Sequence, residues 1–183
     1  MSCTFPQELL EAVISFHGHS CPGLAIGIRA AEYALQKLPD VQLADLVCVT
    51  ETDMCGVDGI QFLTKCTVGK GNLIHRDYGK AAFSFYDRNS GEAFRLVFRS
   101  DARGKDGNTS ATSREDMMRR FMTLSLPEMF TLEKLTNNPP RRARILHSIT
   151  CAHCKEETME SRTRRFDGET LCIPCFDKVE QKI

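Results

Sequence analysis

The sequence predicts an α+β protein: a core domain of mixed helices and antiparallel strands, followed by a small C-terminal zinc ribbon. Apolar residues recur at helical spacing near the start, β-branched and alternating segments occupy the middle, and paired cysteines lie near the end. Helices and strands do not alternate regularly, which argues against a doubly wound sheet. Residues 137–140 interrupt regular secondary structure and indicate a domain boundary. We therefore expect a core domain over residues 1–138 and a ribbon domain over residues 139–183.

Helices are predicted at several places in the core domain. A first helix is indicated by apolar residues at helical spacing, namely Leu9, Leu10, Val13 and Phe16. A second is predicted over residues 22–38, with Arg29, Glu32 and Gln36 on its polar face, and a short third helix over residues 57–65.

The middle of the chain predicts strands. Residues 46–52 are apolar and β-branched, which is typical of a buried strand. Residues 81–87 and 93–99 predict a hairpin, in which Phe94, Leu96 and Phe98 share one face.

A polar loop and further helices are predicted beyond this hairpin. Residues 100–111 are polar and contain glycine, and residues 112–115 have the capping-box pattern that starts a helix bearing Met117, Met118, Phe121 and Met122. Another helical stretch is predicted over residues 127–135.

Charge and cysteine content restrict the possible functions. Lys plus Arg and Asp plus Glu are equal at 24 each, so there is no net basic field to attract nucleic acid, and no stretch approaches the length of a membrane span. The start of the chain lacks the basic residues of a secretory signal, which predicts a cytoplasmic protein. Nine cysteines in such a protein favour metal ligation or thiol chemistry over disulfides.

The strongest motif lies near the C-terminus. Cys151 and Cys154 form one C-x-x-C pair, Cys172 and Cys175 form another, and 17 residues separate the pairs. Each pair makes a tight turn whose two thiolates reach one ion, and two such turns complete a tetrahedral zinc site. The intervening segment predicts a hairpin about Asp167–Gly168, while His153 is interpreted as a turn residue and not a ligand.

A second cluster of potential ligands begins at His17, His19 and Cys21. In an extended segment these residues project to one side, and Cys21 precedes a proline that is typical of a helix start, where a thiolate is favoured. Imidazole and thiolate ligands suit zinc, with nickel or iron as alternatives. The competing interpretation is a capped turn with core histidines and a buried thiol.

Further polar residues follow the predicted strand over residues 46–52. Cys55 is a further potential ligand near a helix start, and the candidates for lining a cleft or binding substrate are Asp58, Gln61, Cys66 and Lys70. Lys70 lies between glycines and offers an ammonium to an anion, although a simple solvated turn is the alternative. No catalytic residue is assigned.

The runs FHGHSCPGLAIGIRAA (Phe16–Ala31) and CGVDGIQFLTKCTVGKGNL (Cys55–Leu73) resemble the E-subunit family of formylmethanofuran dehydrogenase. The resemblance implies an α+β core, a homodimer and a metal-associated cleft. By motif position it implies His19, Cys21 and Cys55 as ligands, with His17 as a further one. It also implies an association with a molybdenum or tungsten oxidoreductase.

The sequence therefore predicts a metal-binding protein with a His/Cys site in the core and structural zinc in the ribbon. Expected partners are a second copy, oxidoreductase subunits or a small anionic ligand, but not nucleic acid or a membrane. Whether the chain is an enzyme stays open. The alternatives are a zinc-ribbon transcriptional regulator or polymerase-binding protein with a metal-sensing core, and a thiol redox protein that uses Cys21 with Cys55 or Cys66.

Overall fold

The computed structural model describes residues 2–104 and 113–180. The chain divides into two compact units, Met1–Arg142 and Ala143–Ile183. No helix in the described ranges is both long and apolar enough to cross a bilayer.

The first unit contains a five-stranded mixed sheet. Its strands are β1 (Leu46–Thr50), β2 (Leu73–His75), β3 (Ala82–Asp87), β4 (Ala93–Phe98) and β5 (Phe130–Lys134). They lie in the order β2-β1-β3-β4-β5, where β1 and β2 are parallel and the other neighbours are antiparallel. The predicted α+β class is confirmed, with one parallel pair added to the expected antiparallel strands.

Helices cover one face of this sheet. They are α1 (Gln7–His17), α2 (Pro22–Lys37), α3 (Gly56–Thr64), α4 (Arg114–Thr123) and α5 (Leu126–Met129), and a 3-10 turn spans Ser100–Arg103. Helix α2 lies at the centre, because its buried residues meet α3, α4 and α5. Phe83, Phe85 and Leu96 extend from the strands into the same hydrophobic core.

The opposite face of the sheet carries a smaller apolar cluster. Val47, Val49 and Tyr86 pack there with Leu135. The segment after β5 is held by hydrogen bonds from Asn137 to the Tyr86 hydroxyl and from the Arg88 side chain to the carbonyl of Pro140.

The helix predicted over residues 127–135 is wrong beyond its first residues. The helix α5 ends at Met129, and Phe130–Lys134 form β5, which pairs with β4 along the edge of the sheet. The residues of β5 alternate between buried and more exposed positions, and the open edge of β4 satisfies their backbone groups.

The predicted polar face of α2 also differs from the structure. The side chains of Arg29 and Glu32 are 1% and 2% exposed and form an ion pair of 3.1 Å. Arg29 also donates to Ser2 and to the carbonyl of Leu124, while Glu32 accepts from Thr4. These partners offset part of the cost of burying the two charges, although Nε of Arg29 has no hydrogen-bond partner among the described residues, and together they hold residues 2–4 against the core.

The second unit is made of two hairpins and one helix. Its elements are β6 (Ser148–Thr150), β7 (Glu157–Met159), β8 (Thr163–Phe166), β9 (Glu169–Cys172) and α6 (Ile173–Val179), with a 3-10 turn at Glu160–Arg162. The hairpin β8–β9 turns at Asp167 and Gly168, both with positive φ, as the sequence predicts.

Candidate metal centres

Four potential ligands converge in the first unit. His17, His19, Cys21 and Cys55, called here the core ligand cluster, each offer one ligand atom, and these atoms all lie within 4.8 Å of one another. Two thiolates and two imidazoles form a donor set that suits zinc. The residues present therefore fit a transition metal.

The backbone brings the first three of these ligands together through a helix end and a tight turn. His17 is the last residue of α1, and Gly18 reverses the chain with a φ of 90°. The expected extended segment is therefore not what aligns His17 with Cys21. The turn places the His17 and His19 rings 4.4 Å apart and Nε2 of His17 3.8 Å from Sγ of Cys21.

Both cysteines of the core ligand cluster occupy helix N-caps. Cys21 caps α2, where its Sγ accepts a hydrogen bond from the backbone N–H of Leu24 at 3.3 Å. Cys55 holds the corresponding position before α3. Helix N-termini favour negative charge, so both positions favour thiolates when a cation is bound.

Contact between α2 and α3 brings Cys55 to the other ligands, and glycine makes that contact possible. A Cβ added at Gly27 would lie 1.9 Å from the carbonyl oxygen of Gly56, and one at Gly23 would lie 3.2 Å from Cβ of Cys55. The two helices can approach this closely only because these side chains are absent. The distance between Cys21 and Cys55 therefore depends on a glycine contact.

Asp58 completes the surroundings of His17. Its Oδ2 lies 2.7 Å from Nδ1 of His17, and the His17 side chain is 8% exposed. A carboxylate on Nδ1 places the proton there and leaves Nε2 free to bind a metal. Gln61 follows one turn later on the same side of α3 and is half-buried.

The protonation state of Cys55 depends on its surroundings. Burial, followed by the hydrogen bond with the neighbouring Cys21 thiol, raises the pKa of Cys55. A metal bound at the core ligand cluster would displace this proton, so its affinity would fall as pH decreases.

The second unit holds the ribbon ligand cluster, Cys151, Cys154, Cys172 and Cys175, whose sulfur atoms also lie within 4.8 Å of one another. The backbone N–H of Cys172 donates to Sγ of Cys151 at 3.3 Å and lowers the pKa of Cys151 to about 6. Hydrogen bonds among the neighbouring cysteine thiols raise the pKa of Cys175 and contribute to the raised pKa of Cys154. The four sulfurs are therefore placed for zinc, and zinc binding would displace the protons that Cys154 and Cys175 retain.

Residues around the ribbon ligand cluster are mostly exposed. His153 lies 3.5 Å from a carboxylate oxygen of Glu169 and is not among the clustered ligands. Arg162, Arg164 and Arg165 are exposed, and their described hydrogen bonds go to nearby backbone carbonyls or, for Arg162, to Ser161.

Comparison with known proteins shows that the two regions containing these clusters each match a known family. Residues 16–138 match the family model described as FmdE, molybdenum formylmethanofuran dehydrogenase operon. The chain belongs to the FmdE family. Residues 144–181 match the prokaryotic dksA/traR C4-type zinc finger. This FmdE-family chain is therefore a metal-binding protein with a C-terminal zinc finger.

Relatives show how far this likeness extends. A probable S-adenosyl-L-methionine-binding protein of Archaeoglobus fulgidus is 30% identical over 93% of this chain and 54% of its own length, so the chain spans about half of that relative. A tungsten formylmethanofuran dehydrogenase FmdE-like protein from Syntrophus aciditrophicus shares the fold, with a TM-score of 0.73 at 24% identity over 99% of this chain and 97% of its own.

Two of the expected cleft residues lie away from the core ligand cluster of the FmdE chain. Cys66 is fully buried, its thiol donates to the carbonyl of Leu46 at 3.4 Å, and burial raises its pKa. Lys70 is exposed in the following turn. Both residues follow the C-terminal end of α3, whereas Cys55 precedes its start, so the length of the helix separates them from the cluster.

One feature beside the core ligand cluster was not predicted. A cavity of about 190 Å³ lies among α1, α2 and α4, and Cys21 forms part of its lining. Its α4 wall includes Met118 and Met122, which the sequence assigns only to a helix face. The closely spaced methionines are a signal for an adaptable apolar surface, but they do not reveal which helix they face.

Proposed function

We propose that this FmdE-family chain binds a second transition metal, most simply zinc, at the core ligand cluster. The observation that supports this is the convergence of His17, His19, Cys21 and Cys55 from the end of one helix, a turn and two helix N-caps. Chance clustering of sulfur and imidazole atoms from such distant positions is a weaker explanation, because three other described cysteines, Cys3, Cys48 and Cys66, are simply buried.

The composition of the core ligand cluster favours metal retention over catalysis. Catalytic zinc sites usually have three protein ligands and an open position, whereas four protein ligands are typical of sites that hold the ion. His17, His19, Cys21 and Cys55 would supply the ligands, and Asp58 would keep Nε2 of His17 available. A bound metal would cross-link the α1–α2 turn to the start of α3.

We further propose that the chain acts as an accessory to a molybdenum or tungsten oxidoreductase and forms a homodimer. The family model's description, which places FmdE in the molybdenum formylmethanofuran dehydrogenase operon, supports the first proposal. Light scattering of the purified chain tests the second: a mass twice that of the 20.6 kDa chain is expected, and a monomeric mass at micromolar concentration would contradict it.

Elemental analysis tests the core site directly. The wild-type chain should contain two metal ions, one of which is lost in Cys21→Ser and Cys55→Ser and the other in Cys172→Ser. Cys66→Ser is the matched control, because serine can still donate to the Leu46 carbonyl, and it should retain both ions. A single ion per wild-type chain, lost only in Cys172→Ser, would rule out the core site.

Exposed arginines favour a second candidate function, in which the ribbon is part of a transcriptional regulator or binds nucleic acid or a polymerase. Arg162, Arg164 and Arg165 lie close together in sequence and present guanidinium groups to solvent. Retention on DNA that falls steeply with salt, and is lost when all three are changed to glutamine, would support this function. Equal retention of the triple variant would exclude a role for these arginines.

A further inference from the structure

The cavity beside Cys21 is bounded by apolar side chains of three helices. Helix α1 contributes Leu10 and Ile14, α2 contributes Ala25 and Ile28, and α4 contributes Met118 and Met122. Its volume of about 190 Å³ is below the range of pockets for drug-sized ligands, so it suits a narrow chain better than a nucleoside or a large cofactor.

The residues that line the cavity are spread along α1 and α2. Ile14, Ser20 and Cys21 line it near the turn that joins these helices, while Gln7 and Ile28 line it farther along each helix. The interval from Cys21 to Ile28 corresponds to about 10 Å of helix rise. An extended aliphatic chain fits such a space.

One end of the cavity is chemically different from its walls. Cys21 belongs to the core ligand cluster, so this end borders the proposed metal site. A neighbouring cavity of about 350 Å³ shares Ser20, Met118 and Arg119 with the first and adds Arg114 and Glu115. Arg119 is the charged side chain that lines the first cavity; the carboxylate of Asp116 lies 3.8 Å from its guanidinium, and both side chains are largely exposed. Arg114 adds a guanidinium and Glu115 a carboxylate to the second cavity, so an anion at the shared mouth would meet the positive charge of Arg119 and Arg114.

We infer that this cavity binds a small amphiphile with an anionic head group and an unbranched aliphatic chain. The aliphatic chain of this ligand lies among the apolar side chains of α1, α2 and α4, and its head group lies at the mouth near Ser20 and Arg119. The inference rests on the proposed function only in placing the head group beside a metal site. Apolar burial and charge complementarity support the remainder.

Octanoate is a suitable probe, and methionine methyl groups are suitable reporters. In the full zinc-loaded chain with 13C-labelled methionine methyls, octanoate should shift the signals of Met118 and Met122. The signal of Met159, on the ribbon strand β7, is the internal control and should stay in place. Affinity should rise about fourfold with each methylene added between butanoate and octanoate, as expected for chain burial.

Variants distinguish the contribution of the ligand's head group to binding from that of its aliphatic chain. Arg114→Gln with Arg119→Gln should weaken octanoate binding at least fivefold and leave octanol binding unchanged. Ala25→Leu should fill the cavity and abolish the methionine shifts. Ala25 is only 2% exposed, so a larger side chain there could prevent folding. Ile14→Phe is therefore a second variant that fills the cavity, at a position that is only half-buried.

The outcomes distinguish this inference from the proposed metal site. Two metal ions with no octanoate shift at Met118 or Met122 would overturn the inference and leave the metal site intact. One metal ion with clear shifts would support the cavity and overturn the core metal site. Methionine signals that change with protein concentration alone, and do not respond to octanoate, would show that a second copy covers the cavity and would overturn the inference.

Discussion

The core ligand cluster and the ribbon ligand cluster have the same size but are supported in different ways. In each, four ligand atoms lie within 4.8 Å of one another. The core cluster borders a large hydrophobic core built from helices and sheet strands. In the ribbon, the buried apolar group consists of Leu171 and three of the ligand cysteines themselves, Cys151, Cys172 and Cys175.

This difference predicts that the ribbon needs zinc in order to fold, whereas the larger unit folds without a metal. Residues 143–180 bury too little apolar surface to stabilise a fold without a cross-link, so zinc must supply most of the folding free energy. The larger unit folds around its own hydrophobic core, so its four potential ligands are brought together without help from a metal. We expect the following variants to separate these two situations.

The largest effect is expected from Cys172→Ser. Loss of one thiolate removes most of a zinc-binding free energy that is about 10–16 kcal/mol in small zinc-dependent domains, so the ribbon should unfold. In a 1H–15N spectrum, signals of residues 143–180 should collapse to random-coil positions while those of β3 and β4 remain dispersed. Cys21→Ser is the matched variant in the other cluster and should leave both regions folded. Dispersed ribbon signals in Cys172→Ser would contradict the comparison.

Gly27→Ala should strongly destabilise the larger unit. The new Cβ would lie 1.9 Å from the Gly56 carbonyl oxygen, so α2 and α3 must separate, at a cost of roughly 3 kcal/mol. Urea unfolding measures this loss, and elemental analysis should show that the core metal is lost while the ribbon metal remains.

The control for this substitution is Gly69→Ala. A Cβ there meets nothing within 4 Å, so the free energy of unfolding should change by less than about 0.5 kcal/mol. Equal stability of Gly27→Ala and Gly69→Ala would show that the glycine contact does not determine how closely the helices approach.

The third prediction concerns how the free energy of unfolding of the larger unit depends on pH, through an ion pair on the sheet. Arg95 donates to Glu51 at 2.6 and 2.9 Å, and this contact holds the pKa of Glu51 below its usual value. A carboxylate with a lowered folded-state pKa stabilises the fold above its unfolded pKa of about 4.3, and that contribution is lost as pH falls through the folded value. Glu51→Gln should destabilise the larger unit by about 2 kcal/mol at pH 7.

Below about pH 4 the difference in unfolding free energy between wild type and Glu51→Gln should narrow. Glu133→Gln is the control, because Glu133 contacts the same arginine at 3.1 Å but is 53% exposed, and it should cost less than about 1 kcal/mol. A constant difference between wild type and Glu51→Gln from pH 7 to pH 3 would contradict the assigned ion pair.

The smallest effect on folding is expected from Asp58→Ala. Loss of the carboxylate on Nδ1 frees the His17 ring to rotate and to change tautomer, so core metal affinity should fall about 10- to 100-fold. Competition with a chromophoric chelator measures the affinity, and thermal unfolding should change little. Asp53→Ala removes an exposed carboxylate just before α3 and should leave affinity unchanged. Equal affinities for the two variants would show that Asp58 does not orient His17.

Several parts of this protein were predictable because their determinants are local. The spacing of Cys151, Cys154, Cys172 and Cys175 specifies a four-sulfur cluster, since two residues between cysteines set the geometry of each turn. Helical spacing and period-2 alternation likewise predict α2 and the β3–β4 hairpin, because these patterns record which side of an element is buried.

Other features depend on partners that are distant in sequence. Phe130–Lys134 becomes a strand because the edge of β4 supplies its hydrogen bonds, although the sequence there also fits a helix. Arg29 and Glu32 are polar residues on a predicted exposed face, yet the N-terminal segment and Leu124 make their burial possible. The sequence predicts a capping box at residues 112–115, but the structure caps α4 with Ser113, which accepts from the backbone N–H of Asp116; Thr112 lies outside the described residues.

The sequence by itself determined which residues can bind metal, because ligand chemistry belongs to each side chain, and it determined the ribbon ligand cluster, because that spacing is local. The family resemblance implied that Cys55 joins His17, His19 and Cys21, and the tertiary structure shows how helix packing brings these residues together. Only the tertiary structure decided that Cys66 and Lys70 lie elsewhere and that an apolar cavity borders Cys21. The physical reason is that these distances are set by helix packing, and a close approach such as that of Gly27 to Gly56 joins positions far apart in the chain.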